Sequence, residues 1–193
     1  MMKRKRGLLI VISAPSGAGK TTLTRMLVKR RKNLVFSISA TTRPPRPGEK
    51  DGREYYFVSD AAFRAMRNRG DLVEWARVHD HWYGTPRRPL ERNLAQGKDV
   101  VLDIDVQGAL AVKRRYPEAL LIFVRTPRFS DLEKRLRHRS SETAAAIRRR
   151  LQTARRELRS AYRYDYQVIN DRLPRALKQL ETILNNESSK NGR

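Results

Sequence analysis

The chain has 193 residues, 39% of them hydrophobic, which suits one well-buried domain with insertions and is short for two full domains. It contains no cysteine, which excludes a disulfide framework and any cysteine-based metal or redox site. The formal net charge of +23 and pI of about 11.3 point to a polyanion partner or, for most of the excess, to arginines spread over solvated helix faces; weak, salt-sensitive nucleic-acid binding follows from such a charge in either case.

Basic residues 3–6 precede an apolar run, as in a signal peptide, but the run is short and leads straight into a glycine-rich turn. No apolar run approaches the ~20 residues of a membrane span, so a cytoplasmic protein with no membrane partner is expected. Leu8 to Ile12 reads as a buried strand, and Leu23, Met26 and Leu27 mark a helix after the turn. Between them lie Ala14, Pro15, Ser16, Gly17, Ala18, Gly19, Lys20, Thr21 and Thr22. Strand, glycine loop and helix form the context of a phosphate-binding loop: small residues let backbone amides wrap phosphate oxygens, and the helix N-terminus adds positive potential. Lys20 would reach the β- and γ-phosphates and the Thr21 hydroxyl a Mg²⁺ ion. Alanine at position 14 departs from the general pattern, which has glycine there.

Leu34 to Ser39 alternates as a strand, and residues 40–49, with three prolines, read as a loop. Tyr55 to Val58 is a short strand; Ser59 caps a helix from about Asp60 to Arg69; Leu72 to Val78 is a strand carrying Glu74. Trp82 to Thr85 is a loop or short strand, and Arg88 to Gln96 a helix. Asp99 to Val106 reads as a buried strand followed by a helix to Tyr116, and Leu120 to Val124 as a further strand. Ser130 and Glu133 have the spacing of a capping box for a helix over Asp131 to Arg137. After a polar break at His138 to Ser141 a long helix buries Ile147, Leu151, Ala154 and Leu158. Tyr166 to Asn170 is the last strand, Pro174 to Leu184 the closing helix, and the polar end from Asn185 reads as frayed.

Alternating strands and helices predict an α/β fold: a parallel sheet of the P-loop NTPase type flanked by helices. Residues 34–97 differ in texture and read as an inserted segment with a small mixed sheet and one helix. The expected division is core 1–33, insertion 34–97, core 98–135, helical lid 136–157, core 158–186 and a disordered tail 187–193.

Asp103 falls near a strand end, where an acidic residue can hold Mg²⁺ through water. On strand alternation Asp105 would face the same way, placing two carboxylates in one site, though two solvated acids would look the same. Arg43 and Arg46 in the stiff proline loop suit a bidentate phosphate clamp, or are surface arginines in an arginine-rich chain. Tyr55 and Tyr83 could donate hydroxyls to that phosphate, or pack half-buried.

Taken together, SAPSGAGKTT, FSISATTRPPRPGE, DGREYYFV, LVEWARVHDHWYGT, VVLDIDVQG and VIND resemble the guanylate kinase family, in order and spacing, from about Gly7 to Asp171. The family accepts alanine at the first loop position. The resemblance implies transfer of the γ-phosphoryl group of ATP to GMP, and to dGMP more weakly, with Mg²⁺. It implies that residues 14–22 bind ATP and that Asn170 lies beside adenine. Ser39, Glu74 and Asp105 would read guanine, with Gly84 and Thr85 beside the base; Arg43, Arg46, Tyr55 and Tyr83 would hold the GMP phosphate. Lys20, Arg43, Arg135, Arg139 and Arg150 would neutralise the transferring group, and Thr21 and Asp103 would serve the metal. The family usually has glycine where this chain has Ser140, which touches the lid hinge. Two relatives remain as alternatives, a scaffold that keeps the fold without catalysis and a phosphosugar kinase; a monomer or small homo-oligomer is expected.

Overall fold

A computed structural model describes residues 6–78, 80–138 and 144–190. Five parallel strands form the main sheet: β1 (Leu9–Ser13), β2 (Leu34–Phe36), β7 (Asp99–Asp103), β8 (Leu120–Arg125) and β9 (Tyr166–Ile169), in the order β2-β7-β1-β8-β9. β1 is central, with Ile12 opposite Asp103 on one side and Ser13 opposite Phe123 on the other. Its alternation divides the core. Leu8, Ile10 and Ile12 pack with α1 (Lys20–Arg30) and α7 (Leu173–Lys190); Leu9 and Val11 pack with α3 (Arg87–Ala95) and α4 (Val106–Arg115). Helices on both faces explain why these strands are continuous apolar runs. The loop after β1 opens where the strand order switches direction, the crevice where such sheets bind ligands.

The inserted segment is a second sheet of β4 (Tyr56–Phe57), β3 (Ala40–Thr41), β6 (His81–Pro86) and β5 (Leu72–Val78), with one parallel and two antiparallel pairings. It encloses a small core of Ala40, Phe63 and Leu72, with α2 (Asp60–Asn68) over it. The Ser59 hydroxyl accepts from the Ala62 amide, the expected N-cap. α5 (Phe129–His138) and α6 (Ala144–Leu158) complete the molecule. The parallel α/β sheet with a mixed insertion and a helical lid is the fold the sequence predicts.

Several local expectations give way. The strand over Leu34 to Ser39 is shorter, β2 ending at Phe36, and the expected loop of residues 40–49 opens with a strand, β3, in the other sheet. Of the two readings of Trp82 to Thr85, loop or short strand, the strand holds. β7 ends at Asp103, and Asp105 instead caps α4, accepting from the Gly108 amide at 2.8 Å. Strand alternation therefore does not relate Asp103 to Asp105. The capping box is absent: Ser130 lies inside α5, whose start is closed by Asp131 accepting from the Arg128 amide, and Glu133 pairs with Arg137 at 2.7 Å. Residues 185–190, expected to fray, are helical: α7 continues to Lys190, and Glu187 accepts from the Tyr166 hydroxyl at 2.8 Å. The break at His138 to Ser141 falls largely outside the described residues.

Candidate active site

The loop of residues 14–19 joins β1 to α1. Gly17 and Gly19 have φ of 90° and 91°, left-handed conformations open to glycine at little cost. Asn170, 2% exposed after β9, donates its side-chain amide to Ala18 O at 2.7 Å. A side chain at residue 19 would begin 2.5 Å from that amide nitrogen, so the bond and the glycine require each other. Lys20 Nζ pairs with Asp103 at 2.5 Å and donates to Ile104 O at 3.0 Å, which ties the loop to the end of β7. Thr21 and Thr22 are exposed on the first turn of α1.

Across the cleft, Glu74 is 4% exposed. The β5–β6 register shifts between Leu72 and Trp75, so Leu72, Val73 and Glu74 are buried in succession. A bulge that re-aims a side chain explains how a carboxylate turns inward from an antiparallel strand. Thr85 donates its hydroxyl to Glu74 Oε1 at 2.7 Å. Burial raises the Glu74 carboxyl to about 7; Asp105 adds to the shift, and the Thr85 hydroxyl and Lys20 oppose it. Ser39 is partly buried beside this sheet, its carbonyl accepting from the Tyr56 amide. Gly84 is buried, and a Cβ there would meet Glu74 O and Leu72 Cδ1 at 3.0 Å, so the glycine permits the close strand pairing.

The proline loop brings Arg43, Tyr55 and Tyr83 together. The two tyrosine rings meet edge to face at 5.8 Å, the Arg43 guanidinium lies 5.4 Å from the Tyr55 ring centre, and Tyr83 stands beside the same guanidinium. Burial raises the Tyr55 hydroxyl pKa, and Asp103 raises it further. Arg46 is exposed, with its amide donating to Glu49 at 2.8 Å. Arg135 donates to Asn170 O at 2.9 Å, and Arg150 to the Ser16 hydroxyl at 2.6 Å. Arg139 lies outside the described residues.

Two residues that close the motifs FSISATTRPPRPGE and VVLDIDVQG, but that the sequence reading gives no role, touch the candidate site residues. Glu49 accepts from Arg43 Nη2 with both oxygens at 2.9 Å and fixes the guanidinium. The Arg46 amide, more than burial or Arg43, sets the direction of its shift, which is downward. Gly108 lies inside α4, where a Cβ would come 2.7 Å from Glu74 Oε2. A glycine in a helix interior costs about 1 kcal/mol against alanine, and that cost is the available signal of a close approach.

Among the described residues no group of three or more His, Asp or Glu could hold a metal. Asp103 and Thr21 are hard oxygen donors flanking the loop. They fit a Mg²⁺ ion that takes its remaining ligands from phosphates and water.

The family model for guanylate kinase matches residues 6–187. The chain is 46% identical over 184 residues to the guanylate kinase of Caldanaerobacter subterraneus subsp. tengcongensis, covering 95% of this chain and 89% of that one. It is 50% identical over 178 residues to that of Thermosynechococcus vestitus, covering 92% and 93%. Its fold matches the crystal structure of guanylate kinase from Anaplasma phagocytophilum with a TM-score of 0.79, at 32% identity over 96% of this chain and 88% of that one. With loop, insertion and sheet order agreeing over nearly its whole length, this chain belongs to the guanylate kinase family of nucleotide-binding phosphotransferases.

Proposed function

We propose that the protein transfers the γ-phosphoryl group of ATP to GMP, giving ADP and GDP by direct in-line displacement. The observation that carries the choice of acceptor is Glu74, buried at 4% exposure, held by Thr85 and beside Asp105. A buried carboxylate without a full set of donors is costly. Guanine offers N1–H and a 2-amino group on one edge; adenine offers an acceptor at N1 and no 2-amino group. Pairing with guanine satisfies the carboxylates, and adenine leaves them buried and unpaired, which a site of this kind rejects strongly. Ser39 and Thr85 are the hydroxyls nearest this role, with Gly84 keeping the strand close.

Phosphoryl transfer depends on positioning and charge stabilisation more than on covalent help. Residues 14–22 cradle the ATP phosphates with backbone amides, and Lys20 neutralises the β- and γ-oxygens. Asn170 braces the loop from the adenine side. Arg43, pre-oriented by Glu49, holds the GMP phosphate with Arg46, Tyr55 and Tyr83. The phosphate is ionised at neutral pH, so its oxygen attacks without a general base. Arg135, Arg139 and Arg150 stabilise charge on the transferring group. Asp103 and Thr21 would hold Mg²⁺, which supplies charge neutralisation on the phosphate oxygens. Closure of the insertion and lid excludes water, which would otherwise accept the phosphoryl group.

No described helix is long and apolar enough to cross a membrane; ATP and GMP as substrates put the reaction in the cytoplasm. The test is ADP formation from Mg-ATP with GMP, dGMP, AMP, UMP or no acceptor. Turnover favouring GMP, with dGMP weaker, supports the reading. Folded protein that binds Mg-ATP and turns over none of these acceptors sinks it, and leaves the phosphosugar kinase or the scaffold.

A further inference from the structure

Asn170 is held at both polar groups of its backbone. It follows β9, and its N–H donates to Arg125 O at 2.7 Å, one step beyond the last strand pair, Arg125 with Ile169. Its carbonyl accepts from Arg135 of α5 at 2.9 Å. The residue is buried. From this anchored position its side-chain amide donates to Ala18 O at 2.7 Å, across 152 residues of chain.

The bond acts on one peptide plane. Peptide bonds among the described residues are trans, and a trans peptide sets its carbonyl and its N–H on opposite sides. With Ala18 O drawn toward Asn170, the Gly19 N–H points away from it, and the Lys20 and Thr21 amides follow in the first turn of α1. The same side-chain nitrogen lies 2.5 Å from where a Cβ of residue 19 would stand, so it packs against the backbone of a glycine whose φ is 91°. The chemistry of the group suits the place. A neutral carboxamide donates without setting negative charge beneath an anion-binding loop. Its donor is turned to main chain, which leaves the base of the nucleotide with no claim on it.

We infer that Asn170 is a positioning residue: it sets the Ala18–Gly19 peptide so that the amides of residues 19–21 face the donor phosphates, and it does so whatever base the donor carries. This rests on the assignment of the loop to ATP, and it gives Asn170 a different part from that of an adenine contact. Its mark is a loss that follows the phosphates and not the base. Aspartate keeps the size and an acceptor, lacks the donor, and turns an anionic oxygen on Ala18 O. Alanine only removes the bond.

The experiment compares wild type, Asn170→Asp and Asn170→Ala, with thermal melts to establish folding. It measures KM for ATP, KM for GMP and the inhibition constant of Mg-tripolyphosphate, which carries the phosphates without a base. Asn170→Asp is expected to raise KM for ATP and the tripolyphosphate constant together, each roughly ten-fold, with Asn170→Ala affected less and KM for GMP within about two-fold in both. A rise in KM for ATP while tripolyphosphate inhibits as in wild type overturns the inference and makes Asn170 a base contact. Unchanged KM for ATP in Asn170→Asp, or KM for GMP rising in step, overturns it as well. If neither variant folds, the test passes to wild type. There the Asn170 side-chain amide protons should exchange slowly with solvent by NMR, with and without Mg-ATP, and exchange at the free rate overturns the inference. Wild-type protein that binds neither Mg-ATP nor Mg-tripolyphosphate in calorimetry overturns the loop assignment itself, before any variant is compared; binding of Mg-ATP alone overturns the inference.

Discussion

Thr85 and Glu74 meet across the β5–β6 hairpin, hydroxyl to carboxylate at 2.7 Å, at the one place where the register of that hairpin slips. The bulge turns Glu74 into the space beside Asp105 and the end of β7, and the hydroxyl leaves part of the carboxylate for a ligand. Replacing Glu74 by Gln keeps the shape and sets an amide where guanine donates. The expected result is a loss of roughly 10²-fold in kcat/KM for GMP, the scale of a charge-assisted hydrogen bond or two, with KM for ATP little changed. Equal losses for both substrates in steady-state kinetics would make Glu74 a structural residue.

The same burial gives stability a pH dependence. The Glu74 and Glu157 carboxyls are both raised to about 7 from an ordinary value of 4.5, in each case first by burial and with Asp105 adding to it, while Lys20 opposes. Between those values the folded state binds more protons than the unfolded state, so stability falls as pH rises. The contribution is complete below about pH 4.5 and is lost through pH 7. Ionising Glu74 costs about 3 kcal/mol on this scale. Glu49, Asp171 and Glu187 are shifted downward and stay ionised throughout pH 5 to 8, so they do not mask the trend. Urea unfolding from pH 5 to pH 8 should show a falling midpoint, shallower in Glu74→Gln; a flat or rising curve would contradict both assignments.

GMP binding should couple to the same proton. On the proposed reading guanine donates to the ionised carboxylate, so binding below pH 7 should release a proton from Glu74. Calorimetry of GMP in buffers of different ionisation enthalpy, at pH 6, should detect release approaching one proton in wild type and much less in Glu74→Gln.

Gly108 tests the packing behind the carboxylate. A methyl group there would come 2.7 Å from Glu74 Oε2. Helix propensity favours alanine by about 1 kcal/mol, and overpacking costs about 1–3 kcal/mol, so stability should change little. Gly108→Ala should nonetheless lower kcat/KM for GMP about ten-fold, because the carboxylate is displaced. Unchanged kinetics would mean that the helix yields instead.

Lys20→Ala removes the cation that joins the loop to Asp103 and Ile104. Turnover should fall at least 10³-fold, since charge stabilisation at the transferring group is the main catalytic term. The far-UV circular dichroism should match wild type, because the side chain is not part of the core. Activity close to wild type would remove the loop from the mechanism.

Features written in consecutive residues are legible from the chain alone. The phosphate loop needs a buried strand, small residues at fixed offsets and a helix start, all within residues 8–29, and the seven-residue strand carrying Glu74 announces itself in the same way. Alternation fails for Asp105 because a strand end is set by where the partner strands stop: β7 runs only as far as its register with β1, and the chain then needs an acceptor to cap α4. The capping box fails for a related reason, since α5 begins at Phe129, ahead of the Asp131 start the motif would give, and the Asp131 carboxylate accepts from the Arg128 amide. Contacts such as Thr85 with Glu74, Gly108 against Glu74 and Asn170 on Ala18 join positions from 11 to 152 residues apart. Local propensity carries no record of such pairs. They come into being when the sheet order and the bulge bring the elements together, and that assembly sets a recognisable loop opposite a buried carboxylate.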